Sequence, residues 1–142
     1  MTETHDDPDT LRQRAATARH SGDVAGTEEA LRGLIAAEPD KLEHRAALYE
    51  VGVGYAMHER TEDAARVLEE CLAHPDTEMP ARTALGVVLV NLGRPDEAET
   101  HLRAAVEAQP DNVAAWSNLG ALKLGQGHVA EAHDILDQAK AL

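Results

Sequence analysis

Eight histidines, one cysteine and 26 carboxylates are the side chains here whose types allow catalysis or metal binding. Two metal ligands on one helix want a spacing of three or four residues. His128 and His133 are five apart, and the pattern puts His128 in a turn. His20, His58 and His101 fall in different parts of the chain, mostly at expected exposed helix ends. There is no HExxH motif and no cysteine pair, so the reading is scattered surface histidines and no metal site. Cys71 aligns with Ala105 and Ala139 at a small, buried position, which makes it a packing residue and not a nucleophile. "VGVGYA", Val51 to Ala56, has two glycines, but it sits inside a helix and lacks a third glycine and a preceding strand, so it is no phosphate loop. The carboxylates gather in helix first turns, where capping and the helix dipole account for them. The chain thus reads as neither an enzyme nor a cofactor carrier.

The elements that position these groups come from a repeat. Shifted by 34 residues, "LGRPDEAETHLRAAVEAQPD" (Leu92 to Asp111) overlies "QGHVAEAHDILDQAKAL" (Gln126 to Leu142), with Gly93 on Gly127, Ala98 on Ala132 and Leu102 on Leu136. Shifted the other way, Val51-Gly52, Ala64, Leu68 and Cys71 fall under Leu85-Gly86, Ala98, Leu102 and Ala105. A fourth, degenerate unit keeps Leu11, Ala15, Ala18, Gly22, Leu31 and Pro39 at the same spacing, with Thr27 in place of the small residue and Leu42 to His44 as an insertion after it. The units are about 8–41, 45–78, 79–112 and 113–142. They form one domain, 8–142, behind a disordered or frayed 1–7.

Each unit reads as two helices. In 79–112 the first spans roughly Pro80 to Leu92, with Pro80 near its first turn and Gly93 as a left-handed cap. The second opens with Pro95 and acids and buries Ala98, Leu102, Ala105 and Val106, and Pro110 stops it. Asn112 or Asp111 caps the next. Gly52, Gly86 and Gly120 lie inside first helices, where glycine costs about 1 kcal/mol relative to alanine. Such a cost implies a close helix approach, with Ala64, Ala98 and Ala132 as the matching small surface and Leu68, Leu102 and Leu136 filling the layer beside them. Antiparallel helix pairs stacked as a solenoid follow.

Composition agrees. Aromatics are 2% and Phe is absent, so the core is Leu, Ala and Val, which suits close-packed helices. A formal charge of −13 disfavours nucleic acid and anionic lipid as partners. That acidity either attracts basic partners or simply keeps the chain soluble. One cysteine permits no internal disulfide, the acidic start lacks signal-peptide features, and no apolar run approaches the roughly 18 residues of a membrane span. A cytoplasmic protein is expected, and Ala- and Arg-rich, Lys-poor usage hints at a high-GC bacterial gene.

"WSNLG", Trp116 to Gly120, and "AETHL" followed by Pro110 resemble the tetratricopeptide repeat. The resemblance runs from about Pro8 to Leu142. The departures are Lys123 in place of an aromatic, Pro75 one residue early and Arg82 in place of a bulky residue. It implies an all-α fold, a right-handed α-solenoid of about four units, whose first helices line a concave groove that holds a partner's peptide or helix. By resemblance, groove positions include Tyr49, Val53, Met57, Val87, Val90, Asn91, Asn118 and Leu124. Their apolar character suits an amphipathic helix or an apolar peptide. The alternative is that these residues are core, or pack on the chain's own N-terminus. The family's subclass that clamps acidic chaperone tails with Lys, Arg and Asn is not matched, since the comparable positions read Arg12, Ala16, Glu50, Pro80 and Ala84. Arg12, Arg14 and Arg19 form either a small basic patch or local ion pairs. With no extra capping helix, Leu122, Ile135, Leu136 and Leu142 are expected to be partly uncovered, which raises a homodimer or larger oligomer built through that end as the second reading.

Overall fold

The computed structural model describes residues 6–142. Among them eight helices follow one another and there is no strand: α1 (Pro8–Ser21), α2 (Val24–Ala37), α3 (Leu42–Met57), α4 (Thr61–Cys71), α5 (Pro75–Asn91), α6 (Pro95–Ala108), α7 (Val113–Gly125) and α8 (Val129–Lys140). They pack as the pairs α1–α2, α3–α4, α5–α6 and α7–α8, each stacked on the next, with α3 against α5 and α5 against α7. The result is the expected all-α solenoid of antiparallel helix pairs. Of the segment expected to be frayed, residues 1–5 lie outside the described residues. Asp7 instead caps α1, accepting from the Thr10 N–H at 2.8 Å.

Local rules account for the helix ends. Asp23 caps α2 and Asn112 caps α7, each accepting from the backbone N–H three residues on, at 2.9 and 3.0 Å. Within each unit the turn passes through a left-handed residue: Gly22, Glu59, Gly93 and Gly127, with φ of 76°, 59°, 73° and 81°. Three of the four are glycine, as that conformation favours.

Two boundaries differ from the sequence reading. α5 begins at Pro75, not near Pro80; Pro75 takes the first helical position and Pro80 lies inside the helix. A proline there removes the bond to the Asp76 carbonyl, but Asp76 and Pro80 are both exposed, so water reaches the freed group. The residues inserted after the first unit become the first turn of α3. There His44 is buried and its Nε2 lies 2.9 Å from Glu38, which also binds Arg12 of α1 and Lys41.

The core runs through the solenoid as layers of Leu, Val and Ala. Leu68, Leu85, Leu89, Leu102 and Leu119 are sealed from solvent, each contributing about 1.5–3 kcal/mol of burial. The glycines serve the close approach as expected, but their neighbour is leucine rather than alanine. A Cβ on Gly52, Gly86 or Gly120 would stand 2.8, 2.5 or 2.5 Å from Leu68, Leu102 or Leu136. Thr27, where the other units have alanine, is buried with its hydroxyl donating to the Asp23 carbonyl at 2.8 Å.

A polar contact recurs where one pair stacks on the next. The Tyr55 hydroxyl of α3 donates to Glu28 of α2 at 2.6 Å. At the equivalent place two units on, Lys123 of α7, itself buried, pairs with Glu99 of α6 at 2.8 Å. Between them the corresponding residues are Leu89 and Ala65, both buried and apolar. Lys123 therefore replaces an aromatic by exchanging a hydroxyl–carboxylate bond for an ion pair.

Candidate functional site

α5 and α7 lie side by side, and between their C-terminal halves opens a cleft of about 490 Å³. On α5, Val87, Val90 and Asn91 share one face by the three- and four-residue spacing of a helix, while Leu85, Val88 and Leu89 turn inward. On α7, Asn118, Ala121 and Leu122 repeat that spacing and form the opposite wall, and Gln126 in the following turn closes one end. Val87 and Val90 keep 48% and 40% of their surface exposed.

Four of the eight groove residues expected from the sequence thus meet in this cleft: Val87, Val90, Asn91 and Asn118. The other four do not line it. Leu124 is exposed on α7 outside the lining, and Met57 at the end of α3 is 78% exposed. Val53 is half-buried, and Tyr49 is half-buried against the core. Burial raises the phenol pKa of Tyr49. Gln126 was not legible as a wall residue, because it stands in a turn where periodicity carries no facing information.

The cleft has an unusual polar character for this chain. None of the residues lining it is charged, although 27% of the sequence is Asp, Glu, Lys or Arg. Its polar groups are three carboxamides. Among the described residues, the side chains of Asn91 and Asn118 make no hydrogen bond, and Gln126 Oε1 is closed off from solvent without a donor. A buried acceptor left unmade costs about 1–3 kcal/mol. A larger hollow, about 670 Å³, opens between α1 and α2, but Asp6, Arg14, Asp23 and Glu29 make it a charged, solvated surface.

On the outer face many of the acids are held by arginines of the same chain. Glu28 is bound by Arg66 at 2.8 and 3.0 Å, by Tyr55, and by Arg32, which also grips Glu70. Hydrogen bonds from Arg66 first, then from Tyr55 and Arg32, hold the Glu28 carboxyl at about 2, against the burial that opposes them. Glu99 is likewise lowered, chiefly by Lys123 and then Arg103. Arg12, Arg14 and Arg19 pair with Asp9 and Glu38, with Asp6, and with Glu50, so they are local ion pairs and not a free basic patch.

The groups that suggested chemistry are placed as follows. Cys71 is buried, and burial pushes its thiol up to about 11, which leaves it protonated and inert. His101 is half-buried instead of lying at an exposed end. Burial first, and then the Arg82 guanidinium 3.1 Å from its Nδ1, lower its pKa. Among the described residues no three His, Cys, Asp or Glu side chains are grouped to hold a metal ion, and no helix is long and apolar enough to cross a membrane.

Comparison with known proteins agrees with the architecture. Residues 83–142 match the family described as tetratricopeptide repeat. No curated protein sequence matches the chain. Among solved structures, MamA is 21% identical, with 95% of this chain and 77% of that one covered and a TM-score of 0.75. A tetratricopeptide repeat protein from Parabacteroides merdae is 17% identical over 92% of this chain and 51% of its own, with a TM-score of 0.77. MamA 41-end from Desulfovibrio magneticus is 20% identical over 93% and 73%, with a TM-score of 0.72. At these identities the likeness is one of fold. Residues 83–142 thus match the tetratricopeptide repeat, and the rest of the chain continues the same stacked helix pairs in the α-solenoid fold.

Proposed function

We propose that the chain is an interaction scaffold that holds an apolar segment of a partner protein in its concave groove, centred on the α5–α7 cleft. One observation supports this reading: Val87 and Val90 stay nearly half exposed on an uncharged wall, in a chain with 26 acidic residues. Isolated exposed apolar residues are ordinary, but a contiguous concave patch is the usual mark of a binding surface. Met57 and Leu124, exposed nearby on the same set of first helices, extend the apolar character beyond the cleft. The same reading assigns the protein to a bacterial cytoplasm, on its acidic, cysteine-poor, Ala- and Arg-rich composition.

The test is partner capture by the full chain, with the captured protein identified by mass spectrometry and then titrated in purified form. Val87→Glu and Val90→Glu are expected to weaken binding at least about ten-fold, since each buries an unpaired charge on docking, while the far-UV helical signal stays native. Unchanged affinity in both variants refutes the groove.

A second reading, self-assembly through the C-terminal end, has narrower support. Leu122 and Ile135, expected to be uncovered there, are buried by the chain's own helices. What remains is a half-buried Leu136 with exposed Val113, Val129 and Leu142. Light scattering across concentration separates the two readings, because a strictly monomeric chain removes the second.

A further inference from the structure

One site inside the third unit is filled differently from its counterparts. In the repeat register, the positions of Arg82 and His101 are held by Leu11 and Ala30 in the first unit, by Leu48 and Val67 in the second and by Trp116 and Ile135 in the fourth. All six of those residues are buried in the core or packed against it. Only the third unit puts polar groups there, and they touch: Arg82 Nη1 of α5 lies 3.1 Å from His101 Nδ1 of α6. The other arms of the guanidinium, Nε and Nη2, donate to Glu78 at 3.2 and 3.1 Å. Hydrocarbon fills such a site at least as well, so what the polar pair adds is a titration. A guanidinium has donors only and keeps its charge. Nδ1 is therefore the bare acceptor, with the ring proton on Nε2. A proton on Nδ1 sets N–H against N–H and cation against cation. We propose that the Arg82–His101 contact is an acid-sensitive latch between α5 and α6, closed while the imidazole is neutral and opened by its protonation. The surroundings resist that proton on balance. Burial first and Arg82 next oppose it, Glu69 of α4 and Glu97 of α6 favour it, and Arg94 in the turn before α6 opposes it, so the ring's pKa is lowered. The unfolded chain takes up the proton first, and the stability the latch contributes, full above about pH 6.5, is lost as pH falls. The other three units, closed by hydrocarbon, have no titration at this site.

Two measurements on the full chain test the latch. Nitrogen NMR of the imidazole rings at about pH 7.5 reads the tautomer, and His101 Nδ1 is expected to show the shift of an unprotonated nitrogen. Urea unfolding at a series of values from about pH 7 to about pH 5 reads the energetics. Arg82→Leu combined with His101→Val copies the pair of the second unit. His101→Asn keeps an acceptor close to the place of Nδ1 but cannot titrate. Over that range the wild-type ratio of unfolded to folded chain is expected to rise about three-fold or more beyond the rise in either variant. A proton on His101 Nδ1 at neutral pH overturns the latch, and so does the same acid dependence in the wild type and the variants. The tautomer is read on the unaltered chain, so the test stands even if a variant folds poorly.

Discussion

Glu59 holds the position that glycine fills in the other three units. Its φ of 59° matches the 73° and 81° of Gly93 and Gly127, each one repeat further on. A side chain in the left-handed region costs about 1–2 kcal/mol, and glycine returns part of that gain as lost chain entropy. Glu59→Gly is therefore expected to raise stability by about 1 kcal/mol in urea unfolding. The helix glycines give the opposite sign, and unequally. Alanine at Gly86 brings a Cβ to 2.5 Å from Leu102, which is sealed from solvent and has nowhere to move. Gly120 meets Leu136 at the same distance, but Leu136 is half-buried at the end of the solenoid and can swing aside. Overpacking costs about 1–3 kcal/mol against about 1 gained in helix propensity. Gly86→Ala should thus lose up to about 2 kcal/mol net, while Gly120→Ala stays near neutral or gains. Equal effects of the two would show that leucine mobility is not what separates the sites.

Between elements, stacking is keyed by the α2–α3 and α6–α7 contacts, and the first of these contributes to the pH dependence, as does Glu38, also held at about 2. The Glu28 carboxyl lies at about 2 in the folded chain, below its ordinary 4.5. The unfolded chain therefore takes up that proton first, and stability present above about pH 5 is lost as pH falls toward 2. Tyr55, raised to about 12 by burial and then by its bond to Glu28, contributes at the other limb. Its stabilising O–H is retained until the unfolded phenol begins to ionise, and stability falls from about pH 10 upward. Glu28→Gln should lower stability at neutral pH and flatten the acid limb, read from denaturant unfolding at a series of pH values. An unaltered acid limb would mean that other carboxylates carry it. The same contacts mark how far a single sequence can be read. The 34-residue period, the inward stripe Ala98, Leu102, Ala105 and Val106, the caps at Gly93 and Asn112 and the pairing of helices were all legible, because each rests on spacing within one unit. Lys123 was legible only as an oddity, since its partner Glu99 lies one helix earlier and no periodicity links them. Pro80 misled for a related reason: a proline reads as a helix start, and only the exposure of Asp76 and Pro80 explains why it is tolerated inside α5. Half of the candidate groove residues meet in one cleft, because facing on α5 and α7 follows from helical spacing. Tyr49 turned toward the core, which spacing alone does not foresee.

For the molecule as a whole, the charged faces and the uncharged cleft are separated in space. The net charge of −13 resides on faces where many acids are held by arginines, such as Arg32, Arg66 and Arg103. The α5–α7 cleft carries none of it. Acidity could still recruit a basic partner to the outside of the solenoid, and such recruitment weakens as salt screens exposed charges over about 10 Å at 0.1 M. A partner seated in the uncharged cleft has no such dependence, because its affinity comes from apolar burial and from neutral hydrogen bonds. Raising NaCl from about 50 to about 500 mM should therefore change the affinity of a cleft-bound peptide by less than about two-fold, measured by calorimetry on the full chain. A loss of about ten-fold or more over that range would mean that the acidic surface and not the cleft does the recruiting. The charge would then be the recognition signal; under the neutral-cleft reading it keeps the chain soluble while an apolar face stays open.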